Sequence, residues 1–159
     1  MVLIFLIKLL YLMKMLQNQK WSLQMNNEKL FKKMFKFAKE LIDYQIYHRD
    51  RYIELKANRE IPEGLIQRDF LFSELRLPRQ IGKTTCLARL KGYLDAEYPD
   101  EKVIFISNDQ EIENLRGIGH LILLIDLDRL SAIQKIKIRE KIIHDPKYLN
   151  IYFCIGSLE

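Results

Sequence analysis

Residues that build covalent or metal-stabilised scaffolds are scarce in this sequence. Its 159 residues include two cysteines, Cys86 and Cys154, and three histidines. Two cysteines are too few for a disulfide framework and are typical of proteins from reducing compartments. The scarcity of both residue types also leaves little material for a structural zinc site. The cysteine usage predicts a cytoplasmic protein. Because 48% of the residues are apolar and 30% are charged, we also expect it to fold around an ordinary hydrophobic core.

Glycine and proline are absent from the first 60 residues, and all six glycines and all four prolines lie farther along the chain. The same 60 residues are basic. They hold 12 Lys and Arg against 6 Asp and Glu, whereas residues 61–159 hold 14 against 15. Glycine and proline weaken helix interiors and are favoured in turns. The asymmetry predicts a basic helical N-terminal region at residues 1–60 and a mixed α/β domain at residues 61–159.

The sequence also lacks a long uninterrupted apolar run. Residues 1–16 are apolar apart from Lys8 and Lys14, and a helix that spans a bilayer needs about 20 such residues. The small-residue cleavage site of a secretory signal is missing as well. A membrane partner is therefore disfavoured, although residues 1–16 do not exclude one. Three interpretations stay open for residues 1–24: a helix packed on the core or a partner, an interfacial membrane anchor, or an extension ahead of a natural start at Met25.

A strongly helical pattern begins at Asn27. Apolar residues recur at steps of three and four, and lysines occupy much of the remaining surface. The apolar positions are Leu30, Met34, Phe37 and Leu41, and the lysines are Lys29, Lys32, Lys33, Lys36 and Lys39. The lysines fit either a face that binds the phosphate backbone of double-stranded DNA or the solvated face of a helix that packs on the core. The amphipathic spacing favours the second interpretation.

Beyond Pro62 the apolar period changes. Short apolar runs lie near residues 70–77, 103–106, 121–125 and 151–155, and helical spacing occupies residues 83–97 and 131–144. Strands that alternate with helices in this way are typical of a parallel sheet covered on both faces. We therefore expect an α/β fold with a parallel sheet of about four strands flanked by helices and preceded by N-terminal helices.

The segment between the first predicted strand and the next helix carries phosphate-binding chemistry. Gly82 permits close backbone approach, Lys83 can reach the β- and γ-phosphates, and Thr84 can ligate magnesium. The strict phosphate-loop pattern has a first glycine where Leu77 stands, and the alternative is a turn with an exposed lysine. We predict a small P-loop NTPase-like core. Its nucleotide-binding residues are Arg79, Gln80, Ile81, Gly82, Lys83, Thr84 and Thr85.

A second motif follows about 40 residues later. Asp126 ends the apolar run that begins at Leu121, and an aspartate at the carboxyl end of a buried strand can hold the coordination shell of a magnesium ion. Together the two motifs predict ATP and Mg²⁺ as cofactors, with Thr84 and Asp126 at the metal. The alternative is an aspartate that merely caps the segment after the strand.

The residues from Pro78 to Thr85 resemble the Walker A motif of phage terminase large subunits. In that family an Arg-Gln pair precedes the Gly-Lys-Thr or Gly-Lys-Ser sequence, and the first glycine is often missing. The triplet at residues 115–117 resembles the approach to that family's Walker B motif. Gly156-Ser157 falls where the family carries a small hydroxyl-bearing coupling or sensor motif. The resemblance covers about residues 65–157, and only the Walker A residues are specific.

The resemblance implies an ATPase core that moves or remodels DNA, with double-stranded DNA, further copies of the chain or a larger phage assembly as partners. It makes Arg79 the Walker A arginine, Lys83 the phosphate lysine, Thr84 the magnesium hydroxyl and Asp126 the Walker B aspartate. It makes Gln67 a weakly matched candidate for an adenine contact. Such enzymes often complete their sites with an arginine from a neighbouring subunit. The candidates for that arginine are Arg116, Arg129 and Arg139.

The sequence departs from the family at the position after Asp126. Leu127 stands where these enzymes usually carry the glutamate that orients the attacking water. Asp128 is the nearest replacement, because residues two apart in an extended backbone point to the same side. The predicted catalytic residues are therefore Lys83, Asp126 and Asp128. We expect slow or partner-dependent hydrolysis, and the alternative is a non-catalytic terminase-like module that joins or interferes with a phage assembly.

Overall fold

Four strands form one sheet in the computed structural model, which describes residues 27–57, 70–79, 81–113, 115, 118–144 and 148–158. They are β1 (Phe72–Leu77), β2 (Lys102–Ile106), β3 (Leu121–Asp126) and β4 (Ile151–Ser157). Every pairing is parallel, and the strand order is β1-β4-β3-β2. The predicted α/β fold with a four-stranded parallel sheet is confirmed. The predictions for residues 1–24, Gln67, Gln80 and Arg116 lie outside the described residues.

Helices connect and cover the strands. They are α1 (Asn27–Ala57), α2 (Lys83–Glu97), the short α3 (Asp109–Glu113) and α4 (Ala132–His144), with a 3₁₀ turn at Leu127–Arg129. The helix predicted at residues 83–97 has these same bounds, and the one predicted at residues 131–144 starts one residue later. Within the described ranges, no helix is both long enough and apolar enough to cross a membrane.

The two central strands are apolar because both faces of the sheet are covered. Every residue of β3 is buried, and so are the first six of β4. On one face Ile122, Leu124 and Phe153 pack with the apolar side of α2 and with α1. On the other face Ile125 and Cys154 pack with Ile138 of α4. This two-sided burial explains why β3 is a continuous apolar run rather than an alternating one.

Helix α1 is part of the core. Its buried residues recur at helical spacing and are Met34, Ala38, Leu41, Ile42, Ile46 and Tyr52. The carboxylate of Asp43 joins this helix to α2 and to the residue that caps it, since it accepts hydrogen bonds from the hydroxyls of Tyr93 in α2 and of Tyr98 just after it, both at 3.0 Å. Packing on the core is the interpretation that the amphipathic spacing favoured, and most of the lysines lie on the exposed side.

A buried ion pair joins α1 to the turn before β2. The guanidinium of Arg49 is buried, and its Nη1 donates to Oε2 of Glu101 at 2.9 Å, while Nη2 contacts the other oxygen of Glu101. Burial opposes the charge of Arg49, but the bonds to Glu101 and Asp50 outweigh it and raise the pKa of the guanidinium. The pair therefore holds together two segments about 50 residues apart in the sequence.

We predict that Glu101→Gln lowers the free energy of unfolding by about 2 kcal/mol, because it leaves the charge of buried Arg49 without its main counter-ion. The matched control is Glu54→Gln, which removes an exposed Arg51–Glu54 pair of 2.8 Å and should cost less than about 0.5 kcal/mol. Urea denaturation of the full chain measures both values. Equal losses in the two variants would contradict the prediction.

Candidate active site at the carboxyl edge of the sheet

The carboxyl ends of three strands meet at one edge of the sheet. Strand β1 ends at Leu77, which is in register with Ser157 at the end of β4. Asp126 at the end of β3 is in register with Ile155 of the same strand. Since parallel strands point the same way, the segment between β1 and α2 begins beside Asp126 and Ser157. Clefts at this edge are where open α/β sheets bind their ligands.

The segment after β1 turns into α2 at Gly82. This glycine caps the helix with φ 78° and ψ 35°, the left-handed conformation that side chains disfavour. Its carbonyl accepts from the N–H of Cys86 at 2.8 Å, which is the first bond of the helix. A Cβ atom at Gly82 would lie 3.3 Å from the ring of Phe31 in α1. The left-handed turn therefore favours glycine, and the close approach of α1 leaves little room for a side chain.

The remaining loop residues take different positions. The side chain of Ile81 is buried in the core and anchors the loop to the domain. Arg79 and Thr85 are exposed, on either side of Gly82. Ile81 could contribute to phosphate binding only through its backbone, whereas Arg79 and Thr85 have side chains that a ligand can reach.

Lys83 is the buried cation of the site, with 8% of its surface exposed. Its Nζ donates to the carbonyl of Pro78 at 3.2 Å and to Oγ of Ser157 at 2.9 Å, and it pairs with Oδ2 of Asp128 at 3.2 Å. An ammonium group has three N–H donors, and these three acceptors match them. The lysine is therefore held against the ends of β1 and β4.

Thr84 and Asp126 lie together beside Lys83. The hydroxyl of Thr84 donates to Oδ2 of Asp126 at 2.7 Å, and the aspartate is buried with 2% of its surface exposed. Hydroxyl and carboxylate oxygens suit Mg²⁺, which usually takes one or two protein ligands and completes its shell with water and phosphate. The described residues include no group of three or more His, Cys, Asp or Glu side chains that could hold a metal. This two-residue set fits a magnesium site completed by a nucleotide.

Asp128 is clamped by the end of β4. Its Oδ1 accepts from the N–H of Ser157 and its Oδ2 from the Ser157 hydroxyl, both at 2.7 Å. Burial opposes ionisation of the carboxyl. The bonds from Ser157 and Lys83 outweigh that effect and lower the pKa of Asp128 below its ordinary value. The Asp128 side chain is therefore an anion fixed between two partners.

The backbone after Asp126 is not extended, contrary to what we expected from the sequence. Residues 127–129 form a 3₁₀ turn, which Asp126 caps by accepting the N–H of Asp128 at 3.3 Å. The turn directs Asp128 to Lys83, while the side chain of Leu127 is buried against Gly156. Leu127, at the position where terminase-like enzymes carry a glutamate, is therefore a buried core residue.

Two of the three candidate arginines can be placed. Nε of Arg129 lies 3.6 Å from Oδ2 of Asp126, next to the site. Arg139 instead pairs with Glu74 at 3.3 Å, and Arg116 lies outside the described residues. The resemblance placed Gly156-Ser157 at a small hydroxyl-bearing coupling or sensor motif, but Ser157 was not among the predicted site residues. In the structure its hydroxyl contacts both Lys83 and Asp128, so a hydroxyl residue at the carboxyl end of a buried strand was the signal for it.

Comparison with protein-family models, curated proteins and solved structures finds no match for this chain. The terminase resemblance stays a prediction based on the Walker A residues. What the structure adds is independent of that resemblance. It brings Gly82, Lys83, Thr84, Asp126 and Asp128 to one edge of the sheet.

We predict that Gly82→Ala lowers the free energy of unfolding by about 1–2 kcal/mol, because alanine is strained in the left-handed conformation. Gly92→Ala is the matched control. It lies inside α2, where an added Cβ atom would have nothing within 4 Å, so it should instead add about 0.5–1 kcal/mol. Thermal and urea denaturation measure both changes. A Gly82→Ala protein as stable as the Gly92→Ala protein would contradict the described turn.

Proposed function

We propose that this chain is an ATP·Mg²⁺-binding P-loop protein with slow or partner-dependent ATP hydrolysis, acting in a DNA-related phage process such as DNA packaging. The observation that carries the proposal is the meeting of Lys83, Thr84 and Asp126 at the start of α2. A buried lysine, a helix N-terminus and a hydroxyl–carboxylate pair are the groups that phosphate and magnesium need. The corresponding place of action is the cytoplasm, which is the host cytoplasm for a phage gene.

Each group has a separate task in this proposal. The positive N-terminus of α2 and the ammonium of Lys83 bind the β- and γ-phosphates. Thr84 and Asp126 hold the magnesium ion, which neutralises phosphate charge when it is bound. Arg79 is exposed at the mouth of the loop and is the candidate for a further phosphate contact. The long α1, with Phe31 against Gly82, supports the loop from outside.

The geometry around Asp128 supports slow hydrolysis. A general base works best when its pKa lies near the operating pH, whereas the pKa of Asp128 is lowered and both of its oxygens are engaged. Leu127 offers no carboxylate and is buried. A partner that frees Asp128 or supplies its own catalytic group would accelerate turnover. Among the described residues, the exposed Arg129 beside Asp126 is placed to act there or in a neighbouring copy.

The proposed DNA partner rests mainly on the Walker A residues, and charge adds modest support. Lys29 and Lys33 are exposed on α1. Their neighbours are partly neutralised, since Lys32 pairs with Glu28 at 2.8 Å and Lys36 with Glu40 at 3.9 Å. A fifth lysine, Lys39, lies over the ring of Tyr93 with its Nζ 3.8 Å from the ring centre.

A non-catalytic binding module is the second candidate function. The buried Leu127 and the engaged carboxylate of Asp128 favour it, because both remove groups that would activate water. In this version the chain binds nucleotide as a structural ligand and joins, or interferes with, a phage assembly through α1. Binding without phosphate release, with and without DNA, would favour this candidate over the ATPase.

We predict that wild-type protein binds ATP·Mg²⁺ and that Lys83→Ala weakens binding by about tenfold to a hundredfold, the effect of losing charged hydrogen bonds. Lys91→Ala is the control, since Lys91 lies on the same helix and pairs at the surface with Asp95. Isothermal titration calorimetry measures the affinities. Equal affinity in wild type and Lys83→Ala, or no binding by wild type, would overturn the proposed function.

We predict that the affinity for double-stranded DNA falls with rising salt. In the Lys29→Glu/Lys33→Glu variant the slope of log affinity against log salt concentration should be smaller, by the amount that corresponds to about two phosphate contacts. The control is Lys91→Glu/Lys102→Glu, which makes the same change of charge away from the exposed side of α1. Fluorescence anisotropy at several salt concentrations measures both slopes. If the salt dependence of DNA affinity is the same in the two variants, the α1 lysines form a solvated face and do not contact DNA.

A further inference from the structure

We propose that Asp128 is an internal competitor for Lys83, so that a nucleotide must displace it before its phosphate can contact the lysine. This inference rests on the proposed function and names a regulatory contact within the same site. Its basis is the set of three acceptors around Nζ of Lys83: the Pro78 carbonyl, the Ser157 hydroxyl and the Asp128 carboxylate. With three donors and three acceptors, the ammonium gives a phosphate a hydrogen bond only by releasing a partner.

Asp128 is the partner that can leave at the lowest cost. Its side chain is 36% exposed, whereas that of Lys83 is 8% exposed, so water can hydrate the released carboxylate. The N–H of Ser157 can still donate to Oδ1 when Oδ2 turns away from the lysine, so the release breaks only part of the contact with β4. Releasing the Pro78 carbonyl would instead break a bond within the loop itself. The Ser157 hydroxyl is neutral, so it opposes an approaching phosphate less than a carboxylate does.

Asp128 and a phosphate compete for Lys83 because both are negatively charged. A carboxylate 3.2 Å from Nζ and a phosphate on the same nitrogen would be like charges a few ångströms apart, which repel strongly in a partly buried site. The lysine is therefore open to a phosphate only in the fraction of molecules whose Asp128 has moved away. The apparent affinity for any ligand that uses Lys83 falls by that fraction. A group that draws Asp128 away, such as a partner's cation, would raise the affinity.

The test compares Asp128→Asn with wild type for binding of ATP·Mg²⁺ and of inorganic tripolyphosphate. Asparagine can still accept the N–H of Ser157 but carries no charge. We expect about tenfold tighter binding of both ligands, the size of one charged hydrogen bond, together with an unchanged or lower melting temperature of the ligand-free protein. If Asp128 had only a structural role, its substitution would lower stability without tightening ligand binding. Asp128→Ala, which should also bind more tightly, serves as a second variant if asparagine disturbs folding.

One control isolates the contact. Asp95→Asn removes the same charge from a surface pair with Lys91, about 18 Å from Lys83 along α2 by the helical rise, and should change binding little. Unchanged or weaker binding by Asp128→Asn, or equal tightening by Asp95→Asn, overturns the inference while the proposed function stands. If neither wild type nor any variant binds either ligand, the proposed function fails and this inference fails with it.

Discussion

The burial of one ammonium group is the constraint on which the rest of the site depends. Lys83 lies in the first turn of α2 with most of its surface removed from water, and a buried charge is tolerated only where its donors are satisfied. The Pro78 carbonyl, the Ser157 hydroxyl and the Asp128 carboxylate meet that need. They come from the loop after β1, from the end of β4 and from the turn after β3. One side chain thus fixes the relative positions of three segments.

The sheet makes this meeting possible. Parallel pairing of β4 with both β1 and β3 brings their carboxyl ends together. Helix α1 adds the outer layer through its apolar stripe, its Asp43 contacts and the Arg49–Glu101 pair. The positions of the side chains at the carboxyl edge of the sheet therefore depend on contacts of α1 that lie away from that edge.

Much of this arrangement could be predicted from the sequence. Continuous apolar runs identified β3 and β4, and the Gly-Lys-Thr sequence between a strand and a helix located the loop at Gly82. The path after Asp126 could not be predicted, because the choice between an extended backbone and a 3₁₀ turn depends on how Leu127 packs. The partners of Ser157 could not be predicted for a similar reason, since its contacts join residues about 30 and 74 positions apart in the chain. Such pairings arise only from strand order.

The contact between Phe31 and Gly82 has a consequence for how the sequence can vary. The ring lies close to the space that a side chain at position 82 would need, since a Cβ atom added there would be 3.3 Å from it. The guanidinium of Arg89 lies over the same ring, 5.0 Å from its centre. Substitutions at these three positions are therefore not independent. A smaller residue at position 31 would leave the guanidinium without its aromatic partner and open a gap behind the loop. Related chains should accordingly change the aromatic residue, the arginine and the packing of α1 as a set, while the glycine stays constant.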